Sequence, residues 1–539
     1  MSNQVTRRDF LKTTGAAAVA ATVATGATIA AASEVDWADE ADMVILGTGC
    51  AGLSAACTVG LEELGTCLVL EAAPEELSGG NSKVSGQYIF CPSSVEGAIA
   101  YQTELNLPYV VEPELVRAWA EEIVENVDWL EENCGANMHD FRNNAEYPEV
   151  VCADEAFSYL HEGKNQNKAV WLMMKALADS FNTKFYYEAR GIDLITNEAG
   201  EVIGVTCEDG RNFKANKGVL LACGGYEQDE ELMQLYSPIG MAHTFGKGSY
   251  FNRGDGIKMA QRLGAKLWHM NSMSGNLLGI KILSKDDPHA LTWPSFGYSS
   301  CKSQDFIYVD SKGDRFTNER LGYLQRHGMV FRSGTWAHID LPTGAWCIFG
   351  QALYDAESLF KPSNYTTYTE AIKGIETNDE GLEAGIIVKC ETIADIAAAT
   401  GIDEAKLQKT IEVYNGYAAA GEDLEYQREK PRNAFAQRTD LPGHEDDVVK
   451  LQACELPPIE PPYYVVELCP TLLNTQGGPK RGVGGEVLNM DEKPIPRLYA
   501  AGEMGCIYAY RYNIGGNLSE AISSGRIAAR SIAKLDPVA

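Results

Sequence analysis

The feature that most constrains the fold is a glycine-rich turn between two short apolar runs near the N-terminus. Residues 42–46 and Cys67–Leu70 are predicted to be buried strands. Residues 47–52 (Gly-Thr-Gly-Cys-Ala-Gly) and a helical stretch to about Leu64 lie between them, and Glu71 follows the last glycine of the turn after 19 residues. In a βαβ unit of this kind the glycines let the backbone approach a diphosphate at the helix N-terminus, and the acid accepts hydrogen bonds from a ribose. The pattern therefore predicts a parallel α/β fold that binds a dinucleotide.

Further glycine-rich segments lie towards both ends of the chain. Residues 79–82 (Gly-Gly-Asn-Ser) follow soon after the acid, and residues 218–225 predict a buried strand that ends in two glycines. Gly-Asp-Gly at 254–256 opens a predicted helix. Near the C-terminus a strand at 496–503 precedes a helix that is predicted from residue 515 to about 533. Because more than 400 residues separate the first and last of these segments, the nucleotide-binding domain is predicted to be discontinuous, with another domain inserted.

Composition excludes several classes of protein. The chain has 539 residues, 45% of them hydrophobic, which is enough to bury a large core. Its formal charge of −30 disfavours nucleic acid and anionic membranes as partners, because both would repel it. None of the 14 cysteines is spaced as Cys-x-x-Cys, so no metal site, iron–sulfur cluster or attached haem is expected.

The N-terminus is similar to a twin-arginine (Tat) export signal. Residues 6–12 (Thr-Arg-Arg-Asp-Phe-Leu-Lys) precede a weakly apolar run that ends in three alanines at 30–32. Cleavage is expected near Ala32, and the run is too rich in glycine and threonine to be a persuasive membrane anchor. The Tat export machinery is therefore an expected partner, and the mature protein is expected to be periplasmic or otherwise extracytoplasmic.

Taken in order, the glycine-rich segments resemble the flavoprotein subunit family of fumarate reductases and succinate dehydrogenases, which includes the 3-ketosteroid dehydrogenases. The resemblance extends from about Asp42 to Ala533 and also rests on residues 313–319 and 475–478. It implies a Rossmann-like FAD-binding domain of the α/β class, discontinuous, with an inserted α+β capping domain. The expected divisions are a signal peptide at 1–32, FAD-binding parts at 36–268 and 467–539, and a capping domain at 269–466.

The resemblance implies FAD as the cofactor and extends the set of expected contacts. The helix that begins at Gly515-Gly516 would direct its positive end at the electron-rich edge of the flavin, and these two backbone N–H groups are expected to polarise a substrate carbonyl. The residues expected to bind the cofactor are Gly47, Gly49, Cys50, Ala51, Gly52, Glu71, Ala72, Gly79, Gly80, Asn81, Ser82, Ser85, Gly86, Ala222, Gly224, Asp255, Glu503, Gly516, Asn517 and Leu518.

The residues that would hold the substrate differ from those of fumarate-type members. Those members carry a proton-donating Arg four residues after an Arg-Phe-x-Asn-Glu motif; here the motif is at 315–319 and the fourth residue on is Tyr323. Two clamping histidines and a second arginine of the family fall on Asn276, Asn474 and Asn513. A desolvated dicarboxylate needs charged partners, so the replacement of all four argues against fumarate as substrate.

The resemblance to the ketosteroid branch supplies a different pair of candidate catalytic residues. A tyrosine at the position of Tyr323 is typical of that branch, and its Δ4-type members carry another at the position of Tyr512, although their following serine is here Ile514. A phenol with a pKa of ~10 is a weak acid unless it lies in a dry pocket near a second phenol or a guanidinium. Tyr323 and Tyr512 are therefore predicted to move the proton, with Arg326 or Arg511 beside them.

The expected function is reduction of a C=C bond conjugated to a carbonyl, an enone or enoate, in a small-molecule substrate. A hydride would pass from flavin N5 to the β-carbon and a proton from a tyrosine to the α-carbon. With no haem or iron–sulfur ligands in the chain, an external quinol-linked or cytochrome donor is expected. Three alternatives stay open: a 3-ketosteroid-type dehydrogenase that works in the oxidative direction, a flavin-binding electron relay, and a fumarate-like dicarboxylate reductase that uses Arg326 or Arg511.

Overall fold

The structure is a computed structural model of the chain. It describes residues 28–29, 35–142, 145–163, 168–237, 245–246, 248–275, 277–283, 290–292, 303–319, 329–332, 335–338, 341–342, 344–360, 375–429 and 455–538. The helices are α1 (Cys50–Leu61), α2 (Gly80–Val84), α3 (Val95–Asn106), α4 (Pro113–Ile123), α5 (Asn126–Cys134), α6 (Ala169–Ser180), α7 (Glu230–Tyr236), α8 (Asp255–Arg262), α9 (Gln351–Ala356), α10 (Asn378–Glu383), α11 (Ile393–Thr400), α12 (Glu404–Ala420) and α13 (Gly516–Ala533). Among these described helices none is long and apolar enough to cross a membrane.

The strands form two large sheets and several two- or three-stranded ones. They are β1 (Thr28–Ile29), β2 (Trp37–Leu46), β3 (Cys67–Leu70), β4 (Ile89–Phe90), β5 (Met138–Arg142), β6 (Ser158–His161), β7 (Lys184–Tyr186), β8 (Gly191–Thr196), β9 (Val202–Cys207), β10 (Asn212–Leu221), β11 (Phe245–Gly246), β12 (Leu267–Trp268), β13 (Met273–Ser274), β14 (Leu277–Leu283), β15 (Ala290–Thr292), β16 (Phe306–Asp310), β17 (Met329–Arg332), β18 (Thr335–His338), β19 (Ala345–Phe349), β20 (Ile387–Cys390), β21 (Tyr463–Leu472), β22 (Asn474–Thr475), β23 (Gly478–Pro479), β24 (Glu486–Leu488) and β25 (Pro494–Ala500).

The larger sheet is a mostly parallel one with β2 at its centre. Strand β2 pairs in parallel with β3 on one side and with β10 on the other, and β7 continues the sheet beyond β3. The last residues of β10 pair in parallel with β25, whereas its first residues pair with β9, the second strand of an antiparallel hairpin. The predicted βαβ unit is therefore present, and the α/β fold class is confirmed.

Close packing of α1 on this sheet depends on the glycines of the first turn. Gly47 has a φ of +106°, in a region that favours glycine. A Cβ added to Gly52 would lie 2.0 Å from the carbonyl oxygen of Gly47, so only glycine fits there. The C-terminal helix α13 lies against α1 in the same way, because a Cβ on Gly525 would be 2.2 Å from the oxygen of Ala51. The two ends of the chain thus build one layer over the sheet.

The second large sheet belongs to the inserted part of the chain. Its order is β15-β14-β21-β19-β16, and β11 and β20 also pair with β21. Helices α11 and α12 contribute Ile396, Leu407 and Ile411 to a core shared with this sheet. Strand β21 runs from Tyr463 to Leu472, so the expected domain boundary after residue 466 falls inside a strand of this sheet. No turn residues mark residue 466, because β21 continues through it as one strand.

Candidate active site

A deep cleft opens at the carboxyl ends of the central parallel strands, where α/β sheets commonly bind ligands. The residues that directly follow β2, β3, β10 and β25 all line it. Sixteen of the residues predicted to bind the cofactor line this cleft: Gly47, Gly49, Ala51, Glu71, Ala72, Gly80, Asn81, Ser82, Ser85, Gly86, Ala222, Gly224, Asp255, Glu503, Asn517 and Leu518.

Four predicted cofactor residues do not line the cleft but shape the loops around it. The backbone N–H of Cys50 donates to Ser82 Oγ at 3.0 Å, so this helix-terminal donor is already paired. Gly52 packs against the first turn, and the N–H of Gly79 donates to a threonine hydroxyl of that turn at 2.9 Å. The N–H of Gly516 donates to the carbonyl of Asn513 at 2.9 Å, which contradicts the expectation that it polarises a substrate carbonyl.

Glu71 is held rigidly at the wall of the cleft. The N–H groups of Thr48 and Ala73 donate to its two carboxylate oxygens at 3.0 and 2.8 Å, and the Thr48 hydroxyl donates to it as well. Two charge-assisted backbone bonds keep one face of the carboxylate fixed while the other stays open to a ribose. The indole N–H of Trp171 fixes Thr48 in turn, by a bond of 2.8 Å to its carbonyl. Thr48 was missed because it occupies a variable position of the glycine pattern.

Asp255 lies at the cleft but is already paired. Its carboxylate forms an ion pair with Arg190, which also lines the cleft and lies over the ring of Phe251 at 5.9 Å. Burial raises the pKa of Asp255, and the charge of Arg190 opposes that effect. Arg190 directly follows Ala189, whose N–H bonds to the backbone of Glu71, so this cation lies at the Glu71 end of the cleft. Nothing in the sequence around Arg190 indicated it.

The polar side chains of the cleft wall at the start of α13 are amides. Asn517 donates to Asn474 at 2.8 Å and accepts from Gln476 at 3.0 Å. The thiol of Cys506 donates to the side-chain oxygen Oε1 of Gln476. These groups satisfy one another without any charge. Among the described residues that line the cleft, the one cationic side chain is that of Arg190.

Of the four predicted catalytic residues, the structure places Tyr512 at the cleft, next to Ile514. The guanidinium of Arg511 instead donates to the carbonyls of Leu105 and Glu104 and lies over the ring of Tyr147 at 5.3 Å, away from the cleft lining. Arg511 therefore packs the end of α3 rather than facing a substrate. Tyr323, Arg326 and Asn276 lie outside the described residues. Asn513 is buried and accepts a hydrogen bond from Tyr101 at 2.8 Å.

The motif at 313–319 serves the interior of the inserted part. Arg315 forms two bonds to Glu319, at 2.8 and 2.9 Å, and two to Asp423, at 2.9 and 3.3 Å. Arg428 approaches the same glutamate at 3.4 Å, and both arginines are buried. The charged residues of the motif therefore hold segment 423–428 against β16 and do not line the cleft.

The donor set of the cleft fits FAD. A glycine turn at a helix N-terminus suits a diphosphate and the fixed Glu71 suits a ribose. Glu503 lines the same cleft, and its Oε1 is buried without a partner among the described residues, so the lining keeps unused hydrogen-bonding capacity. Together the parallel sheet and this cleft define a dinucleotide-binding flavoprotein. The chain belongs to the FAD binding domain family, whose model matches residues 42–518. The twin-arginine translocation signal model matches residues 4–24, which confirms the export prediction.

Curated relatives and a solved structure agree with this assignment. The 3-oxosteroid 1-dehydrogenase of Mycolicibacterium smegmatis is 28% identical over 62% of this chain and 57% of its own length. The probable fumarate reductase Ifc3 of Shewanella frigidimarina is 25% identical over 91% of this chain and 74% of its own length. The digoxin reductase of Eggerthella lenta is 24% identical over 98% of this chain and 97% of its own length. The chain therefore spans less than two thirds of the length of the steroid dehydrogenase relative.

A 3-ketosteroid Δ1-dehydrogenase from Sterolibacterium denitrificans, solved with 1,4-androstadiene-3,17-dione, shares the fold. The TM-score is 0.68 at 20% identity, and the match covers 92% of this chain and 99% of that one. This similarity confirms the predicted fold class, and the match to the FAD binding domain model confirms the predicted family and cofactor.

Proposed function

We propose that this protein is an exported FAD-dependent oxidoreductase that reduces a C=C bond conjugated to a carbonyl, and that its substrate is an uncharged enone. The observation that carries this proposal is the described cleft lining near Tyr512, which has no cationic side chain, since the one cation of the described lining, Arg190, is paired with Asp255 at the Glu71 end. A carboxylate substrate that loses its water needs a charged partner or several donors. The amide wall at Asn474 and Asn517 satisfies itself and offers no net charge.

Bound FAD would supply the hydride. Tyr512 is the described side chain best placed to supply the proton, since its ring lies at the cleft and packs edge-on against Tyr508 at 5.6 Å. The apolar neighbours Ile514 and Leu518 exclude water on the same side of the cleft, which favours proton transfer from a phenol. Tyr323 remains the predicted second phenol, and Arg326 its predicted neighbour. The electrons would come from an external quinol-linked or cytochrome donor.

The relative named as a digoxin reductase supports the reductive direction, and the relative named as a 3-oxosteroid 1-dehydrogenase supports a fused-ring enone as the substrate class. The second of them also supports the alternative that the protein works in the oxidative direction. The relative named as a probable fumarate reductase supports the other alternative, a dicarboxylate substrate held by Arg326.

The test is anaerobic reoxidation of the reduced mature holoprotein against four compounds: fumarate, urocanate, an aryl acrylate and a Δ4-3-ketosteroid. We expect the neutral enone to reoxidise the flavin and the three carboxylates to react slowly or not at all. Rapid reaction with fumarate would overturn the neutral-substrate proposal. Flavin reduction on mixing the oxidised protein with a saturated ketosteroid would instead establish the dehydrogenase direction. Flavin that none of these compounds reoxidises would indicate an electron relay.

A further inference from the structure

Two glutamate side chains meet beneath the cofactor cleft. Glu227 follows β10 and Glu503 follows β25, and since these strands are parallel neighbours their carboxyl-terminal loops lie side by side. A Cβ placed on Gly225 would lie 2.2 Å from Glu503 Oε1 and 2.7 Å from Glu227 Oε2, so both oxygens converge on one point. Asn81 Nδ2 also lies within hydrogen-bond distance of both side chains, 2.8 Å from Glu227 Oε1 and 3.0 Å from Glu503 Oε2.

The hydrogen bonds around this pair leave one oxygen without a donor. Glu227 Oε1 also accepts from Asn252 Nδ2 at 2.8 Å, and Thr475 Oγ1 donates to Glu227 Oε2 at 3.4 Å. Glu503 Oε1 is buried and has no partner among the described residues. A proton shared between Glu503 Oε1 and Glu227 Oε2 would give both oxygens a partner. The Asn81 amide cannot do this, because it bonds to the other oxygen of each glutamate.

No positive charge compensates the pair in the part of the chain that the structure describes. Neither glutamate forms an ion pair with a described residue. The charge of Glu227 acts on the pKa of a phenol, Tyr226, and the charge of Glu503 acts on the pKa of a thiol, Cys506. Burial raises the pKa of Glu227, which is 3% exposed. Burial and the neighbouring charge of Glu227 raise the pKa of Glu503 well above its usual value. Two buried carboxylates whose oxygens converge on one point cannot both ionise without a large cost in free energy.

We propose that Glu227 and Glu503 share a single proton at neutral pH and that FAD binds in preference to this singly protonated pair. Glu503 lines the cleft and is partly exposed there, whereas Glu227 lies behind it. A bound FAD covers Glu503 and brings a negatively charged diphosphate into the same cleft, so both effects favour retention of the proton. Glu227 is then a positioning residue that acts on the cofactor through Glu503.

The test is the pH dependence of the Kd for FAD, measured with full-length apoprotein from about pH 6 to about pH 9, a range in which an ordinary glutamate does not titrate. The wild-type Kd is expected to rise, approaching about tenfold per pH unit once the pair has lost its proton. Glu227→Gln keeps a carbonyl for Asn81 and Asn252 and directs an amide at Glu503 Oε1, so its Kd is expected to stay flat with pH. Glu503→Gln is expected to lose the slope as well. Glu198→Gln, in an exposed turn, is the matched control and should keep it.

A second readout needs no variant. Calorimetry of FAD binding in two buffers of different ionisation enthalpy counts the protons taken up, and we expect uptake of up to one proton per FAD where the Kd is rising. A pH-independent wild-type Kd without proton uptake would overturn the proposal, as would a wild-type slope in Glu227→Gln. The inference rests on FAD binding and not on the enone proposal, so the two fail separately.

Discussion

Asn517 Nδ2 lies 2.8 Å from Asn474 Oδ1, and this contact ties the first turn of the last helix to the short strand that follows β21. The two residues come from the C-terminal part of the chain, yet they line the same cleft as the glycine turn of the N-terminal part. Because both are neutral, the electrostatic character of this wall is set by the amides and by the helix end rather than by a formal charge. This relationship underlies the distinction between an enone and a dicarboxylate substrate.

Tyr512→Phe is expected to lower the rate of enone-dependent flavin reoxidation by about 10²–10⁴-fold, the usual contribution of a general acid. The measurement is stopped-flow absorbance of the reduced holoprotein. Tyr508→Phe is the control, because the Tyr508 hydroxyl donates to the carbonyl of Gly516 at 2.9 Å and does not line the cleft. Equal loss of rate in both variants would remove Tyr512 from the proposed chemistry.

Glu71→Gln is expected to weaken FAD binding by about 1.5–3 kcal/mol, the range for a hydrogen bond to a charged group. The amide group has a single acceptor oxygen, so it cannot serve both the N–H of Thr48 and the N–H of Ala73. Fluorescence titration of apoprotein with FAD measures the loss. Glu75→Gln, an exposed change four residues away, should leave the Kd unchanged. An unaltered Kd in Glu71→Gln would argue against a ribose contact at this carboxylate.

Arg315→Ala is expected to lower the free energy of unfolding by about 3–5 kcal/mol, because it leaves Glu319 and Asp423 buried without their main partner. Chemical denaturation of the holoprotein measures this effect. The control is Arg117→Ala, which removes an exposed ion pair with Glu96 and is expected to cost about 0–1 kcal/mol. If the two variants were equally stable, the cluster would not be what holds segment 423–428 in place.

His269→Phe is expected to flatten the acid side of the stability curve. Burial, reinforced by the charge of Arg481, lowers the pKa of His269 to about 3, so the folded protein keeps this histidine neutral. Its stabilising contribution is present above the unfolded pKa of about 6.5 and is lost as the pH falls below that value, by at most about 1.4 kcal/mol per pH unit.

The measurement is urea denaturation of wild type and His269→Phe at several pH values between about 5 and about 7.5. Only the wild type should lose the contribution of this histidine on acidification. His139→Phe, at an exposed position, is the control and should follow the wild-type curve. Parallel curves for wild type and His269→Phe would contradict the assignment.

Local patterns predicted those parts of the fold that depend on neighbouring residues. Strand β3 has the predicted bounds, and α13 begins at Gly516, within a residue of the predicted start, because Gly515 directly before it has a φ of +82°. Helix α1 ends at Leu61, three residues before the predicted Leu64, and Glu62 is its C-cap.

The contacts that no local pattern reveals are those between loops far apart in the sequence. Thr48, Arg190 and Glu227 act through partners 23, 65 and 146 residues away, respectively: Glu71, Asp255 and Asn81. Arg511 lies next to Tyr512 in the sequence, yet its guanidinium faces the carbonyls at the end of α3, because adjacent residues of an irregular segment need not face the same way.

The layer that α1 and α13 form over the sheet has a consequence for biosynthesis. A ribosome adds residues in order, and domains generally fold from the N-terminus as they emerge. Here the glycine turn emerges early, but Glu503 and the helix that packs on Ala51 are made more than 400 residues later. A nascent chain therefore lacks one side of the cleft until these later segments have emerged. Loading of FAD into the complete cleft must follow their synthesis and precede passage through the Tat machinery, which carries proteins that are already folded.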